Sequence, residues 1–191
     1  MPFEHELKNA YIGEVYEYSY DFRNKTTANL TADWFSVYEW TWKVNANWLS
    51  SNSSNARVIV NKSIQSLLNA TKLTVTQLCI LSNGSVWIRL NWTWRTYATW
   101  MYMGTTENYQ TLAIAGTANN YSWMSAWTYT QTAVFDFVNK TATLSCTWKS
   151  DHTETMTDTQ IANIMNNINN IEFYIDRNSS YIQTVNIIVY Y

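Results

Sequence analysis

The class of fold is decided by the last eleven residues of the chain, Tyr181-Ile182-Gln183-Thr184-Val185-Asn186-Ile187-Ile188-Val189-Tyr190-Tyr191. The run is rich in aromatic and β-branched residues and contains neither a proline nor a charged side chain, which is typical of a β-strand. An unpaired strand edge of this length recruits another chain unless it is blocked. We therefore expect this run, like the N-terminal run through Phe22, to be held in a sheet of this chain or of a neighbour.

Alternation of apolar and polar side chains predicts strands elsewhere along the chain. The three longest such stretches are Glu14 to Phe22, Trp34 to Val44 and Val86 to Trp100. Shorter strand-like runs are Arg57 to Val60, Leu73 to Leu81, Thr132 to Val138, Thr141 to Lys149 and Ile171 to Asp176. Strands of this kind have one buried face and one solvated face. In the run ending at Lys149, Cys146 and Trp148 share the side of Leu144, which predicts that both point inward.

Helical spacing occurs in two places. Between Thr157 and Asn170 the isoleucines and Met165 recur on one helix face, and Thr157 or Asp158 is available as the N-cap. A shorter helical turn is predicted from Ser63 to Ala70, where Ile64, Leu67 and Leu68 would share a face.

About nine strands joined by short polar turns favour antiparallel hairpins over parallel crossovers. We predict an all-β fold for residues 1–191 as a single domain: an antiparallel β-sandwich of jelly-roll type with one amphipathic helix near 157–170. The terminal strands of this domain are candidates for engagement with neighbouring subunits. Most of the 11 Trp and 14 Tyr residues are expected to fill the core between the sheets.

The charge of the chain is low. Only 14% of the residues are charged and the formal net charge is −2, so no basic field is available for nucleic acid. No stretch is apolar enough to span a membrane. The first twenty residues include Glu4, Glu6 and Lys8 and show no signal peptide, so either a leader was removed before residue 1 or the protein reaches its destination without one.

The polar surface is built mainly from 22 Asn, 16 Ser and 25 Thr residues. Ten Asn-x-Ser/Thr sequons occur, about twice the number expected by chance for this composition. They begin at Asn24, Asn29, Asn52, Asn61, Asn69, Asn83, Asn91, Asn120, Asn139 and Asn178. Three of them, at Asn83, Asn139 and Asn178, lie between strand-like runs, and Asn91 falls on the polar side of its run. The pattern predicts an N-glycosylated protein exposed outside a cell, with glycans but no cofactor.

Residues that could carry catalysis are scarce. The chain has two histidines, His5 and His152, and no phosphate-binding glycine loop or nucleophile elbow. The segment Asp151-His152-Thr153-Glu154 is better explained as a solvated loop than as a metal site. The sequence therefore predicts no catalytic residues and no metal ligands, and we do not expect an enzyme.

Two cysteines, Cys79 and Cys146, each lie in a predicted strand. They could form a disulfide, which the extracellular expectation favours, or remain as two buried free thiols. The sequence leaves both alternatives open.

The abundance of Asn, Thr, Ser, Tyr and Trp, the dense sequons and the scarce Lys and Glu resemble glycosylated structural proteins of virions that infect thermoacidophilic archaea. The chain is also similar in style to archaeal surface filament subunits that polymerise by strand donation. The resemblance rests on composition over the whole chain and on no specific motif, so no functional residue is carried over. It implies a self-assembling capsid, turret or tail subunit at a virion surface, or a filament subunit polymerised by donor-strand complementation. The lack of a visible signal peptide favours the virion subunit, because secreted filament subunits need an export signal, and a leader removed before residue 1 would reverse that preference.

The partners implied by that resemblance are copies of the same chain and other structural proteins of the particle. A carbohydrate-binding β-sandwich module is the remaining alternative, because exposed Trp rings stack on sugars. That alternative requires tryptophans outside the core, whereas alternation places most of them inside it.

Overall fold

The computed structural model describes residues 13–23, 25, 27–33, 35–37, 42–45, 48–51, 57–64, 66–82, 84–91, 99–105, 109–168, 170–176 and 180–191. In chain order the elements are β1 (Val15–Asp21), α1 (Thr27–Ala32), β2 (Phe35–Val37), β3 (Trp42–Asn45), β4 (Trp48–Ser51), β5 (Arg57–Ser63), β6 (Lys72–Leu81), β7 (Ser85–Asn91), β8 (Thr99–Gly104), β9 (Tyr109–Ile114), β10 (Thr117–Trp123), β11 (Trp127–Asp136), β12 (Thr141–Cys146), β13 (His152–Thr155), α2 (Asp158–Asn167), β14 (Asn170–Asp176) and β15 (Tyr181–Tyr190).

The strands form two antiparallel sheets. Sheet A has eight strands, in the order β13-β12-β11-β6-β15-β4-β3, with β1 also paired to β15. Sheet B has seven strands, in the order β10-β9-β8-β7-β14-β5-β2. The buried side chains of both sheets join in one apolar cluster, so the sheets pack face to face.

The path of the chain between the sheets identifies the topology. The β6–β15 ladder of sheet A continues as the β7–β14 ladder of sheet B, because β6 leads into β7 and β14 leads into β15. An antiparallel ribbon folded across two sheets in this way characterises a jelly roll. The predicted all-β sandwich is confirmed.

The C-terminal run is an interior strand of sheet A. One edge of β15 pairs with β6, and its other edge pairs with β1, from Val15 opposite Tyr190 to Asp21 opposite Thr184, and with β4. Both predicted terminal strands are therefore confirmed. However, β15 offers no edge to a neighbour, because its ladders on both sides lie within the chain.

The core follows the predicted alternation most clearly on β6. Leu73, Val75, Cys79 and Leu81 are buried between the sheets together with Gln77, while the alternate positions from Lys72 to Ile80 are half-buried on the outer face. Burying such side chains contributes about 1.5–3 kcal/mol each, which makes this alternation the main source of stability.

Two of the predicted long strands are each two strands. Val86 to Trp100 is divided into β7 and β8, which pair with each other so that Arg89 lies opposite Trp100. Val86, Ile88 and Leu90 are buried as predicted, and residues 92–98 lie outside the described residues. Trp34 to Val44 is likewise divided between β2 in sheet B and β3 in sheet A. Neither stretch contains Gly or Pro, so alternation alone did not reveal the breaks.

The predicted amphipathic helix is confirmed as α2. Its N-cap is Thr157, whose side chain and that of Gln160 form a reciprocal capping box. Among the described helices, none is long and apolar enough to cross a membrane.

The helical turn predicted for Ser63 to Ala70 is wrong. Ser63 ends β5, and the chain then makes a turn in which Asn69 adopts a left-handed conformation with φ of 70°. Leu67 is fully buried, whereas Leu68 is 58% exposed, so the two do not share a face. The short helix α1 and the strands β4, β9, β10 and β13 were not predicted.

The disulfide considered for Cys79 and Cys146 is not formed, and both residues are buried free thiols. Strand β11 lies between their strands, with Tyr129 opposite Cys79 and Gln131 opposite Cys146. Two strand spacings of about 4.8 Å separate the backbones by more than the roughly 7 Å that a disulfide spans.

Adjacent isoleucines on β15 test this account of the core. Ile187 is fully buried between the sheets, whereas Ile188 is half-buried on the outer face. We expect Ile187→Ala to lower the free energy of unfolding by about 2–5 kcal/mol, because it leaves a cavity, and Ile188→Ala to lower it by less than about 1.5 kcal/mol. Urea unfolding at equilibrium measures both values. Equal losses would show that the face assignment of β15 is wrong.

Candidate functional site

The candidate functional site is a group of exposed tryptophans at one end of the sandwich. Trp123, Trp127 and Trp148 are 70%, 61% and 84% exposed, respectively. Exposed apolar side chains grouped in this way mark interaction surfaces more often than isolated ones do. We refer to these three residues and their surroundings as the tryptophan end.

Trp127 owes its exposure to the length of β11. On this strand the core-facing positions are Tyr129, Gln131, Ala133 and Phe135, all buried. Trp127 continues the same alternation one step further, opposite Leu81 at the last position of β6. Its ring therefore lies on the inner side of sheet A but beyond the end of the packed core.

Trp148 is exposed because β12 ends at Cys146, two residues before it. The backbone of Trp148 is left-handed, with φ of 65°, so the chain turns and the side chain leaves the inward direction. The prediction that Trp148 shares the inward side of Leu144 and Cys146 is wrong for this reason. A left-handed conformation costs a non-glycine residue about 1–2 kcal/mol, and such strain is often found at functional sites.

The segment between β10 and β11 is fixed by contacts at both sides. Met124 is fully buried, and the Tyr129 hydroxyl donates to the Ser125 carbonyl oxygen at 3.2 Å. On the other side, the Lys149 ammonium donates to the Trp123 carbonyl oxygen. The three tryptophans are therefore attached to segments that are tied to one another before any ligand binds.

A shallow cleft of about 290 Å³ lies at this end of the sandwich. It is lined by Ser125, Trp127, Tyr129, Trp148 and Lys149. We call it the tryptophan cleft. Its walls are aromatic, and its polar groups are two hydroxyls and one ammonium. A mainly apolar cleft with a few polar groups is the usual composition of a small-molecule site.

The other large group of aromatic residues is packed against itself. On sheet B the Trp87 ring lies 5.0 Å from Trp100, 4.6 Å from Tyr102 and 5.8 Å from Tyr174. The Arg89 guanidinium lies over Tyr174 at 4.1 Å. Tyr102 and Tyr174 are buried, and Trp87 and Trp100 are half-buried, so the rings of this cluster spend much of their surface on one another.

The segment from Asp151 to Glu154 was expected to be a solvated loop, but residues 152–155 form strand β13. The Tyr121 hydroxyl donates to Glu154, Ser122 Oγ lies 3.1 Å from His152 Nε2, and the Tyr121 and His152 rings stack at 4.2 Å. These side chains join edge strand β10 of sheet B to edge strand β13 of sheet A. Within the described residues no group of three or more side chains could hold a metal ion.

The two thiols are not available as nucleophiles. Burial raises the pKa of Cys146 to about 12 and raises the pKa of Cys79 as well. Both are therefore protonated at neutral pH.

Four sequon asparagines have exposed side chains: Asn29, Asn69, Asn120 and Asn139. Asn139 lies in the β11–β12 hairpin, as predicted, where its Nδ2 donates to Asp136 at 2.9 Å. Asn69 and Asn139 lie at the end of sheet A opposite the tryptophan end. Asn61 and Asn91 lie in β5 and β7. The sequons at Asn24, Asn52, Asn83 and Asn178 lie outside the described residues.

The strained backbone at Trp148 gives a test that does not depend on a ligand. Asn accepts a left-handed conformation more readily than Trp. We expect Trp148→Asn to leave the free energy of unfolding unchanged or to raise it by up to about 1 kcal/mol, because the exposed ring contributes little packing. The matched variant Trp123→Asn, at an exposed position within β10, should give no such gain. In urea unfolding, a loss above about 1 kcal/mol for Trp148→Asn would show that the ring stabilises the fold.

The sequence matches no protein-family model and no curated protein. The structure is similar to the winged bean acidic lectin complexed with methyl-α-D-galactose, with 6% identity, a TM-score of 0.61 and coverage of 93% of this chain and 99% of that one. It is also similar to the CBM2 module of Lactobacillus casei BL23 phage J-1 evolved Dit, with 8% identity, a TM-score of 0.60 and coverage of 94% and 98%. Peanut lectin gives 10% identity, a TM-score of 0.58 and coverage of 92% and 97%. At these identities the likeness shows the fold alone: this chain is a β-sandwich of the kind found in those lectins and that module.

Proposed function

We propose that the protein binds carbohydrate in the tryptophan cleft. The observation that carries the proposal is the exposure of Trp127 and Trp148 on a cleft of about 290 Å³. A pyranose ring has a face of C–H groups that packs on an indole, while its hydroxyls bond to polar groups at the rim. Ser125, Tyr129 and Lys149 are the polar groups at that position.

Two further observations support binding of sugar rather than of another ligand class. The chain lacks the basic field that nucleic acid requires, since its net charge is −2. The similar structures include a lectin complexed with methyl-α-D-galactose and a CBM2 module, which makes the fold a common scaffold for such sites. The five residues that line the cleft all belong to a single copy of this chain.

The proposed activity is binding without hydrolysis. Glycoside hydrolysis uses a pair of carboxyl groups that flank the bond, and none of the five residues that line the cleft is Asp or Glu. Cys146, which ends β12 two residues before Trp148, is a protonated thiol because burial raises its pKa to about 12. The lining residues therefore supply stacking and hydrogen bonding but not the pair of carboxyl groups that glycoside hydrolysis uses.

Removal of single indole rings tests the proposal. We expect Trp127→Ala and Trp148→Ala each to weaken binding to a retained polysaccharide about tenfold or more, because each deletes a stacking surface at the centre of the site. Affinity gel electrophoresis against a panel of soluble plant, bacterial and fungal polysaccharides identifies the ligand, and calorimetry then measures the affinities.

The matched control is Val138→Ala, which truncates an apolar side chain of 68% exposure in the β11–β12 hairpin, at the opposite end of sheet A. It should bind as the native protein does. Retention of no polysaccharide, or unchanged binding by both Trp variants, would contradict the proposed function.

We also propose, as a second function, that the protein is a subunit that assembles with copies of itself on a surface. The supporting observation is the outer edge of β1, which pairs with no strand of the described chain and carries Val15 at 54% exposure. Such an edge can accept a strand from a neighbour. In this proposal the particle is a virion or a surface filament, and glycans on the exposed sequon asparagines solvate it.

Light scattering with size-exclusion chromatography tests the assembly. A self-assembling subunit should elute at multiples of its polypeptide mass of 22.3 kDa, and Val15→Lys should shift it toward the monomer, because a charge on an edge strand opposes pairing. Val138→Lys places the same charge outside β1 and should leave assembly unchanged. A monomer at all concentrations would contradict this second function.

A further inference from the structure

We propose that the sugar bound in the tryptophan cleft is an acidic one, whose anionic group is held by the Lys149 ammonium. The inference rests on the proposed function and specifies its ligand class. It is carried by the polar groups of the cleft, by the position of the Lys149 ammonium and by the absence of an ion-pair partner for it within the described chain.

The polar side chains of the cleft offer donors and one positive charge. Lys149 carries an ammonium with three N–H groups and Ser125 carries a hydroxyl, whereas the Tyr129 hydroxyl already donates to the Ser125 carbonyl oxygen and can only accept from a ligand. None of the lining residues has a carboxylate or a carboxamide, the side chains that accept hydrogen bonds most strongly. Donors without such acceptors match an acceptor-rich group, and a carboxylate or sulfate on a sugar is such a group.

Lys149 is held in place by the backbone. Its ammonium donates to the carbonyl oxygen of Trp123, and its side chain is half-buried beside the exposed indole of Trp148. A single carbonyl uses one of the three N–H groups, so two remain for a ligand. Because the ammonium is already positioned, less side-chain entropy is lost when an anion binds.

The charge of Lys149 is not neutralised by the described part of the chain. Lys140 forms an ion pair with Asp158 at 2.8 Å, and Lys25 lies 3.7 Å from Asp33. Lys149 forms no ion pair with a described residue. Of the nearby acids, Glu154 accepts from Tyr121, and Asp151 is exposed and does not line the cleft. A charge-assisted hydrogen bond therefore remains to be made, and such bonds are roughly twice as strong as neutral ones.

The experiment compares each acidic sugar with a neutral counterpart that lacks the charge and keeps the ring. The probes are trigalacturonic acid and sialyllactose with their methyl esters, and a sulfated disaccharide with its unsulfated parent. Titration calorimetry measures each affinity with the native protein. We expect at least one acid to bind about tenfold or more tightly than its neutral counterpart, and that ratio to shrink as salt rises from about 50 mM to about 500 mM, because the charges are partly exposed.

Two lysine variants assign the effect to its residue. Lys149→Met should abolish the preference for the acid, so that this variant binds each acid and its neutral counterpart with the same affinity. Lys140→Met removes a charge in the β11–β12 hairpin at the other end of sheet A and should keep the preference.

The outcomes separate the two proposals. Equal affinities for acid and ester, or a preference that survives in Lys149→Met, would overturn the inference while a sugar-binding function stands. If all probes and the polysaccharide panel fail to bind, the proposed function fails. Loss of the acid preference in Lys149→Met, while Lys140→Met keeps it, supports both the sugar-binding function and the acidic ligand.

Discussion

Strand β15 pairs with β6 from Tyr190 opposite Lys72 to Tyr181 opposite Ile80, although the two strands lie in opposite halves of the sequence. The position of every other strand in sheet A depends on this ladder, since β11 is aligned with β6, and β1 and β4 with β15. It also continues into sheet B through β7 and β14, so one register aligns both sheets. Because β11 starts opposite the last residue of β6, Trp127 lies at the rim of the core, and the site is a consequence of the register.

The outer face of sheet A explains how a chain with few charges is solvated. It carries threonines from neighbouring strands, and their hydroxyls bond across the ladders, Thr76 to Thr132 at 3.0 Å and Thr143 to Thr153 at 2.9 Å. Cross-strand Thr pairs stabilise a sheet while presenting a polar surface. Among the side chains that the structure describes, the exposed aromatic ones are the three indoles at the tryptophan end, which is why we assign the function to them.

Sequence alternation predicted β6 and β15 and their buried faces well, because burial of one face imposes a period of two. It missed β9, which also has partners on both sides, because five consecutive residues of that strand are buried and no period of two is visible. It did not locate the reversal between β7 and β8, since turn residues such as Gly and Pro are absent there. It also placed Trp148 inward, because alternation cannot show that β12 ends at Cys146. Exposure of Trp127 depends on how far β11 extends beyond the core, and only the three-dimensional register determines that distance.

The central claim is that the sugar contacts the exposed indoles at the tryptophan end. The most direct measurement is the set of indole N–H signals of the 11 tryptophans in a proton–nitrogen NMR spectrum, assigned by substitution and recorded during titration with the retained polysaccharide fragment. The account predicts that the signals of Trp127 and Trp148 shift together with the same affinity, while that of Trp87, packed within the sheet B cluster, stays in place. Shifts confined to Trp87 and its neighbours, or to no indole, would contradict it.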